Sequence, residues 1–357
     1  MIYSRFSALE SDSVGKKICI MRLSAIGDVC HAVAMVTRIR TQWPDAHITW
    51  VIGKVEYQLV KLIPDVRFVI FDKREGKDAV KKLKTALKDE SFDALLMMQV
   101  ALRANLASRV INAKTRIGFD WARSKELHWL FANKRVAARK HAHVLDGFMD
   151  FADALGVPAQ QPVSWDIPVS NDDSTWGQQQ ADALGTYVVI APAASKAERN
   201  WLPERYAEVA EYASRLGKKV ILVGGPGELD RRTADAILSH TQVIVEDYTG
   251  KTSLHQLLML LKHAELVIAP DTGPAHMATM VGTPVIGLYA HSNPLRTGPY
   301  KDINNTCSVY DDCISEQKGK PWQSLAWGVR AKGSDLMQKI TIESVIDKID
   351  KILVINS

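Results

Sequence analysis

Three short segments of this chain hold residue types that can do chemistry, and each directly follows an apolar run. The first is Arg22-Leu23-Ser24-Ala25-Ile26-Gly27-Asp28-Val29. Gly27 permits a close backbone approach, and Asp28 stands where the next helix should begin. Two readings of Asp28 are open. It can cap that helix, which is worth about 1 kcal/mol, or it can be a carboxylate at the end of a strand, placed to take a proton from a hydroxyl. The second segment runs from Ala191 to Trp201 and contains Ser195, Lys196 and Arg199. Small residues, a hydroxyl and two cations are what a diphosphate requires, although a solvated basic loop would have the same composition. The third is Ala269-Pro270-Asp271-Thr272-Gly273-Pro274-Ala275-His276. There Thr272 and Gly273 set backbone N–H groups at a helix start, where an anion is favoured. His276 lies one turn further on, on the side of Gly273, either facing that anion or as a satisfied structural histidine.

Several patterns are missing. There is no GxGxxG, since Gly224-Gly225-Pro226-Gly227 has the wrong spacing, and there is no GxxxxGK[ST] or GxSxG. That argues against a dinucleotide oxidoreductase, a P-loop nucleotidase and a serine hydrolase. No Asp-x-Asp occurs, and no His, Cys, Asp or Glu group has metal-ligand spacing, so no metal and no cofactor are expected. Cys19, Cys30, Cys307 and Cys313 form no CxxC pair, which fits a reducing compartment. The first sixteen residues include Glu10 and Asp12 and lack an apolar core, so they do not read as a secretory signal. No apolar run approaches the roughly 18 residues of a membrane span. A cytoplasmic protein is therefore expected. The basic stretch from Lys73 to Lys88 has no aromatic residues among its charges and reads as a solvated helix face, so nucleic acid is not an expected partner.

The elements that must position these segments alternate along the chain. Strands are expected at Lys17–Met21, Ile48–Ile52, Val66–Phe71, Ala94–Met98 and Arg116–Gly118, and helices at Val29–Gln42, Glu56–Leu62, Lys77–Lys88, Arg103–Ile111 and Val144–Leu155. The alternation restarts with strands at Tyr187–Ala191, Lys219–Val223, Val243–Val245, Leu266–Ala269 and Pro284–Leu288. The helices of this half are expected at Pro203–Leu216, Glu228–Ser239, Ser253–His263, Gly273–Val281 and Ile342–Leu353. Strand–helix alternation of this length implies parallel βαβ units. The expectation is an α/β fold of two doubly wound, Rossmann-like domains facing each other across a cleft. The domains are placed at 16–156 and 173–340, with a proline-bearing linker at 157–172 and a terminal helix at 341–357 packing back on the first domain. Ligands of such sheets sit beyond the carboxyl ends of the strands.

Taken together, the three segments resemble the motifs of the bacterial lipopolysaccharide core heptosyltransferases. RLSAIGDVCHAVAMV is similar to that family's opening motif, the Ser195 loop to its donor-phosphate loop, and PDTGPAHMATMVGTPVIGLY to its C-terminal donor signature. The resemblance covers residues 16 to about 300 and implies a GT-B fold and an inverting, metal-independent transfer. It implies ADP-heptose as donor and Kdo-lipid A or the growing lipopolysaccharide core as acceptor. By position, it makes Asp28 the catalytic base. It assigns Ser195, Lys196, Arg199, Asp247, Asp271, Thr272, Gly273 and His276 to the donor, and Arg103, Arg123 and His143 to the acceptor. A heptosyltransferase I type is the first reading. A heptosyltransferase II or another core sugar transferase is the alternative, ahead of a sugar-nucleotide epimerase or a non-catalytic binder.

The charge distribution fits that reading. Residues 1–156 carry 26 Lys and Arg against 17 Asp and Glu, a balance of +9, whereas residues 157–357 carry 19 against 23, a balance of −4. A basic half suits an anionic acceptor and peripheral contact with the cytoplasmic face of the inner membrane. The segment from Asn305 to Lys339 matches none of the motifs.

Overall fold

The computed structural model describes residues 15–354. Backbone contacts divide the chain into two units. The first contains the described residues up to Lys140 together with Val144–Pro168, and the second contains His141–His143 and the described residues from Val169 on.

In chain order the first unit is β1 (Lys17–Met21), α1 (Ile26–Gln42), β2 (His47–Ile52), α2 (Lys54–Val60), β3 (Val66–Ile70), α3 (Lys77–Ala86), β4 (Phe92–Met97), α4 (Leu102–Ser108), β5 (Ala113–Gly118), β6 (Lys134–Arg135) and α5 (Val144–Leu155). The strands form one parallel sheet in the order β3-β2-β1-β4-β5-β6. β1 lies between β2 and β4, with Ile20 opposite both Trp50 and Leu96. Its residues Ile18 to Met21 are all buried, which is why the strand is apolar throughout rather than alternating. The strand order reverses beside β1, so the turn carrying Asp28 leaves the sheet at its switch point.

α1 is buried along Val29–Ile39 and packs on α5. The stretch expected to be a linker is laid along this helix. Arg38 donates to the carbonyls of Val157 (2.6 Å) and Pro158 (2.9 Å) and to Asp153 (2.6 Å). The Trp165 indole donates to the Cys30 carbonyl at 2.9 Å, and Asp166 pairs with Arg40 at 2.8 Å.

The second unit is α6 (Asn171–Leu184), β7 (Tyr187–Ile190), α7 (Pro203–Arg215), β8 (Lys219–Leu222), α8 (Glu228–His240), β9 (Val245–Asp247), α9 (Leu254–His263), β10 (Leu266–Pro270), α10 (Gly273–Val281), β11 (Val285–Tyr289), α11 (Pro294–Thr297), β12 (Cys307–Ser308), α12 (Tyr310–Lys318) and α13 (Ile342–Leu353). Its parallel sheet has the order β12-β11-β10-β7-β8-β9, so the switch point falls at the central pair β7 and β10. The second and third sequence segments are the turns that follow these two strands.

Three differences from the sequence expectation have physical reasons. α6 was not foreseen because NDDSTWGQQQADAL has no apolar period. The helix is capped by Ser170, whose Oγ accepts from the Asp173 N–H at 3.0 Å, and it packs on α9 at Gly177. A Cβ at Gly177 would lie 2.5 Å from the Met259 Cβ, so the approach is open only to glycine. α12 and β12 arise in the segment that matched no motif, and there Cys307, Tyr310, Cys313 and Ile314 are buried in the second unit's core. α13, expected on the first domain, packs on α7 and β11 of the second unit. Val345 and Ile349 are fully buried there, worth about 1.5–3 kcal/mol each, and the Tyr212 hydroxyl donates to Asp350 at 2.5 Å. Among the described residues no helix is long and apolar enough to cross a membrane.

Candidate functional site

At the end of β1 the chain turns into α1 over buried Arg22. Arg22 donates through Nη1 to the Met98 carbonyl at 2.5 Å, pairs through Nη2 with the Asp28 carboxylate, and stands 5.2 Å from the centre of the Phe148 ring. Burial pulls the guanidinium below its usual value, and the adjacent Asp28 charge opposes this. Asp28 is the third residue of α1, and the N-cap is Ala25, which makes no side-chain capping bond. The capping reading of Asp28 therefore fails. Its carboxylate is held on one side by Arg22, and its side chain is 35% exposed.

Sequence reasoning gave no role to the groups around this pair. Gln99 Oε1 accepts from the Leu23 N–H at 3.2 Å and the Ser24 N–H at 3.4 Å, which satisfies amides that the turn would leave unpaired. Glu56, in α2, lies against Gly53, where a Cβ would fall 2.4 Å from its Oε2. Burial raises the Glu56 carboxyl above its usual value, partly offset by hydrogen bonding to its own backbone and by Lys73 and Arg22. Only the long-range pairing of strand ends brings Gln99 and Glu56 here, so no local motif announces them. Cys30, the second residue after Asp28, is fully buried with its thiol pushed up by burial, which removes it as a nucleophile.

The second unit brings the other two segments together. Arg199 donates to Ser195 Oγ at 2.8 Å and stands 3.9 Å from Asp271. Asp271 accepts from Ser292 Oγ at 3.0 Å, and His276 Nε2 is 3.7 Å from its other oxygen. Burial would raise the Asp271 carboxyl, but His276, Ser292 and Arg199 together hold it below its usual value, so it is ionised at neutral pH. Thr272 is the N-cap of α10 without a capping bond, and Gly273 is the helix's first residue. Thr272 Oγ1 and Arg199 Nε are buried here without a hydrogen-bond partner among the described residues. An acceptor-rich ligand at the N-terminus of α10 would satisfy both. Lys196 is exposed and 3.7 Å from Glu198.

The remaining candidates are placed otherwise. Asp247 ends β9, with its oxygens taken by Arg231 (2.6 Å), Lys251 (3.4 Å) and the Thr249 N–H (3.0 Å). Burial raises its carboxyl, but these hydrogen bonds outweigh it and hold the group at about 2. Arg103, on α4, is exposed and reaches the Lys73 carbonyl at 3.4 Å. Arg123 is occupied within the first unit, where it donates to Asp120 (2.5 Å), Asp150 (2.9 Å) and the Ala137 carbonyl (2.9 Å). His143 is buried and groups with the second unit, with its Nε2 2.9 Å from the Gly298 carbonyl and its ring against Tyr300. Arg123 and His143 thus each have partners within their own unit. Among the described residues no three or more His, Cys, Asp or Glu side chains gather as a metal site.

Comparison with known proteins agrees with this architecture. The family model described as glycosyltransferase family 9 (heptosyltransferase) matches residues 80–326. Lipopolysaccharide core heptosyltransferase OpsX of Haemophilus influenzae is 43% identical over 94% of this chain and 97% of its own length. Lipopolysaccharide heptosyltransferase 1 of Escherichia coli is 25% identical over 82% of this chain and 93% of its own. Among solved structures, a family 9 glycosyl transferase from Veillonella parvula superposes with a TM-score of 0.78 at 22% identity, covering 97% of this chain and 99% of that one. E. coli heptosyltransferase WaaC with ADP gives 0.71 at 21%, covering 94% and 99%. The fold is α/β of the GT-B type.

Proposed function

The chain belongs to glycosyltransferase family 9, the heptosyltransferases, and we propose that it moves L-glycero-D-manno-heptose from ADP-heptose to the Kdo or inner-core region of lipopolysaccharide, inverting the anomeric centre without a metal. The observation that carries this reading is the 43% identity, over nearly the whole of both chains, to a lipopolysaccharide core heptosyltransferase. Transfer of the first heptose is the favoured reaction, and transfer of the second is the alternative.

Each unit supports one half of the chemistry. The acceptor hydroxyl attacks the anomeric carbon as the bond to the diphosphate breaks, and ADP leaves with the bonding pair. Asp28 takes the hydroxyl proton, held in orientation by Arg22, and its negative charge also favours an oxocarbenium-like transition state. Arg199, Lys196, Ser195, the Thr272 hydroxyl and the N-terminus of α10 receive the departing charge in place of a metal. His276 and Ser292 hold Asp271 beside Arg199, which keeps that cation from drifting. Arg103 remains for the acceptor's carboxylates, while Arg123 maintains the first unit.

We place the enzyme in the cytoplasm, touching the inner membrane peripherally. An exposed apolar patch in the first unit supports that contact. Trp121 and Trp129 stand 5.6 Å apart, with Arg135 4.2 Å above Trp121, and Leu127 and Leu130 are more than half exposed nearby in the same loop. Tryptophan beside arginine suits the headgroup region of a bilayer. The test of the main reading is ADP release from ADP-heptose with and without Kdo-lipid A. Release that depends on the acceptor, with a heptose added to the lipid, is expected. Release without acceptor, or none with it, rejects the assignment.

A further inference from the structure

Beside the donor loop, and not lined by the Asp271–His276 turn, the second unit contains a cavity of about 420 Å³. Its lining includes Lys196, Arg199, His291, Arg330 and Lys332, and a single carboxylate, Glu198. One wall is the loop after β7. The other is the Arg330–Ser334 stretch of the segment that matched no motif.

The two walls are fastened together. His291 follows β11, and its ring nitrogens lie 3.1 Å from the Ala331 carbonyl and 2.8 Å from the Glu198 carbonyl. The Ala331 N–H returns to the His291 carbonyl at 3.0 Å. Gln317, on α12, bonds both the N–H (2.9 Å) and the carbonyl (2.6 Å) of Lys332. Ala331 is buried between them, so its neighbours Arg330 and Lys332 are held at the cavity rather than trailing from a loose tail.

The charges of this cavity are not balanced. No carboxylate among the described residues lies within ion-pair distance of Arg330 or Lys332. Elsewhere in the same segment Lys339 has Glu316 at 2.6 Å. Glu198 reaches only Lys196, at 3.7 Å, and Arg199 has a buried Nε with no hydrogen-bond partner. Arg199 already has Asp271 at 3.9 Å, but the other three permanent cations of the lining, Lys196, Arg330 and Lys332, face one space with Glu198 as its single acid. That leaves a potential that an anion relieves, and a fork-shaped guanidinium with an ammonium beside it suits phosphate oxygens.

We propose that this cavity is a phosphate-binding site built by Arg330 and Lys332 against the Lys196–Arg199 loop. Its ligand is a phosphate group, either the terminal phosphate of the donor nucleotide or a phosphate supplied from elsewhere, free or on the acceptor. The proposal goes beyond the heptose-transfer reading and does not depend on which sugar moves.

The test is calorimetric titration of the full chain with inorganic phosphate and, separately, with ADP in phosphate-free buffer, for wild type and for the double variant Arg330→Gln/Lys332→Gln. Wild type should bind inorganic phosphate saturably, and phosphate should raise its Tm. The double variant should bind it at least about tenfold more weakly, because two charged hydrogen-bonding groups are lost, while its Tm without phosphate stays within a degree or two of wild type. Arg330→Lys should recover part of the affinity. If ADP weakens in parallel, the phosphate is the donor's; if ADP affinity is unchanged, it comes from the other source, and both outcomes support the site. Absence of saturable phosphate binding to wild type at millimolar concentration, or a double variant that binds phosphate as wild type does, overturns it. The ADP-release assay with Kdo-lipid A reads the transferase assignment independently.

Discussion

Asp28 and Arg22 act as a unit, and this changes what a substitution at Asp28 does. The sequence allowed a helix cap or a base, and the N-cap at Ala25 decides against the first. Asp28→Asn is expected to lower kcat by about 10²–10⁴-fold with ADP affinity unchanged, because the groups proposed for the donor lie in the other unit. It should also lower Tm, since it leaves buried Arg22 without its counter-charge. The separation of kcat from ADP affinity is therefore the informative readout, and a variant retaining a tenth of wild-type turnover would remove Asp28 as base. A second residue-scale effect concerns His128, which is wholly buried, with Nδ1 2.8 Å from Asn105 Oδ1 and Nε2 accepting from the Phe119 N–H at 3.2 Å. Burial, with a smaller push from Arg135, lowers the ring from its ordinary 6.5 to about 4. The folded state thus binds the proton less well than the unfolded state. This contribution to stability is complete above about pH 6.5 and is lost progressively as pH falls towards 4, a cost on the order of 3 kcal/mol. In urea titrations from pH 7 to pH 4, the stability advantage of wild type over His128→Gln should shrink by that order. A constant advantage would show that the ring is not held neutral.

At the scale of elements, what could be read from the sequence depended on whether an element's signal is local. β1 and α10 were placed to the residue because each is bounded by its own chemistry, an apolar run in one case and a Thr-Gly-Pro start in the other. The three motif turns follow the same logic, since each directly follows the end of an apolar strand. α6 was missed because its position is set by its partner α9 rather than by its own pattern. Gln99 and Glu56 were missed for the related reason that they reach the Asp28 turn only through the pairing of β1 with β2 and β4. Arg123 was read from its charge alone, and nothing local shows that Asp120 and Asp150 pair with it. The α6–α9 contact gives a direct check. Gly177→Ala should gain helix propensity, yet its Cβ would meet the Met259 Cβ at 2.5 Å and the helices must separate. A net loss of about 1–3 kcal/mol is expected from denaturant unfolding. A gain in stability would mean that the two helices slide apart freely.

For the molecule as a whole, the +9 balance of residues 1–156 lies outside the unit proposed for the donor, and the structure changes where on the first unit it should matter. The basic stretch from Lys73 to Lys88 reads from the sequence as a solvated helix face. In the structure Lys81 pairs with Asp78 at 3.1 Å, Lys82 with Glu75 at 2.7 Å, and Lys88 lies 3.8 Å from Asp89, so much of that field is cancelled locally. The loop between β5 and β6 instead places Trp121, Trp129, Leu127 and Leu130 at the surface with Arg135 above an indole. Glu126 and Leu127 there take positive φ values of 48° and 60°. This conformation disfavours non-glycine residues, and it is stabilised where the Glu126 carboxylate accepts the Leu102 N–H at 2.6 Å and Asn105 donates to the Glu126 carbonyl at 3.3 Å. A strained backbone that exposes a leucine is better explained by an apolar partner than by solvent. The Trp patch and the basic charge predict different responses. Binding of the full chain to vesicles with anionic lipid should weaken with salt, as the Debye length falls from about 30 Å at 0.01 M to about 10 Å at 0.1 M. Trp121→Ala/Trp129→Ala should abolish the salt-resistant remainder, since apolar insertion is not screened. Lys81→Ala should have little effect, because its charge is already paired. If the double tryptophan variant binds vesicles as wild type does at physiological salt, the aromatic patch is not the membrane contact. If Lys81→Ala then weakens binding as well, the α3 face takes that role.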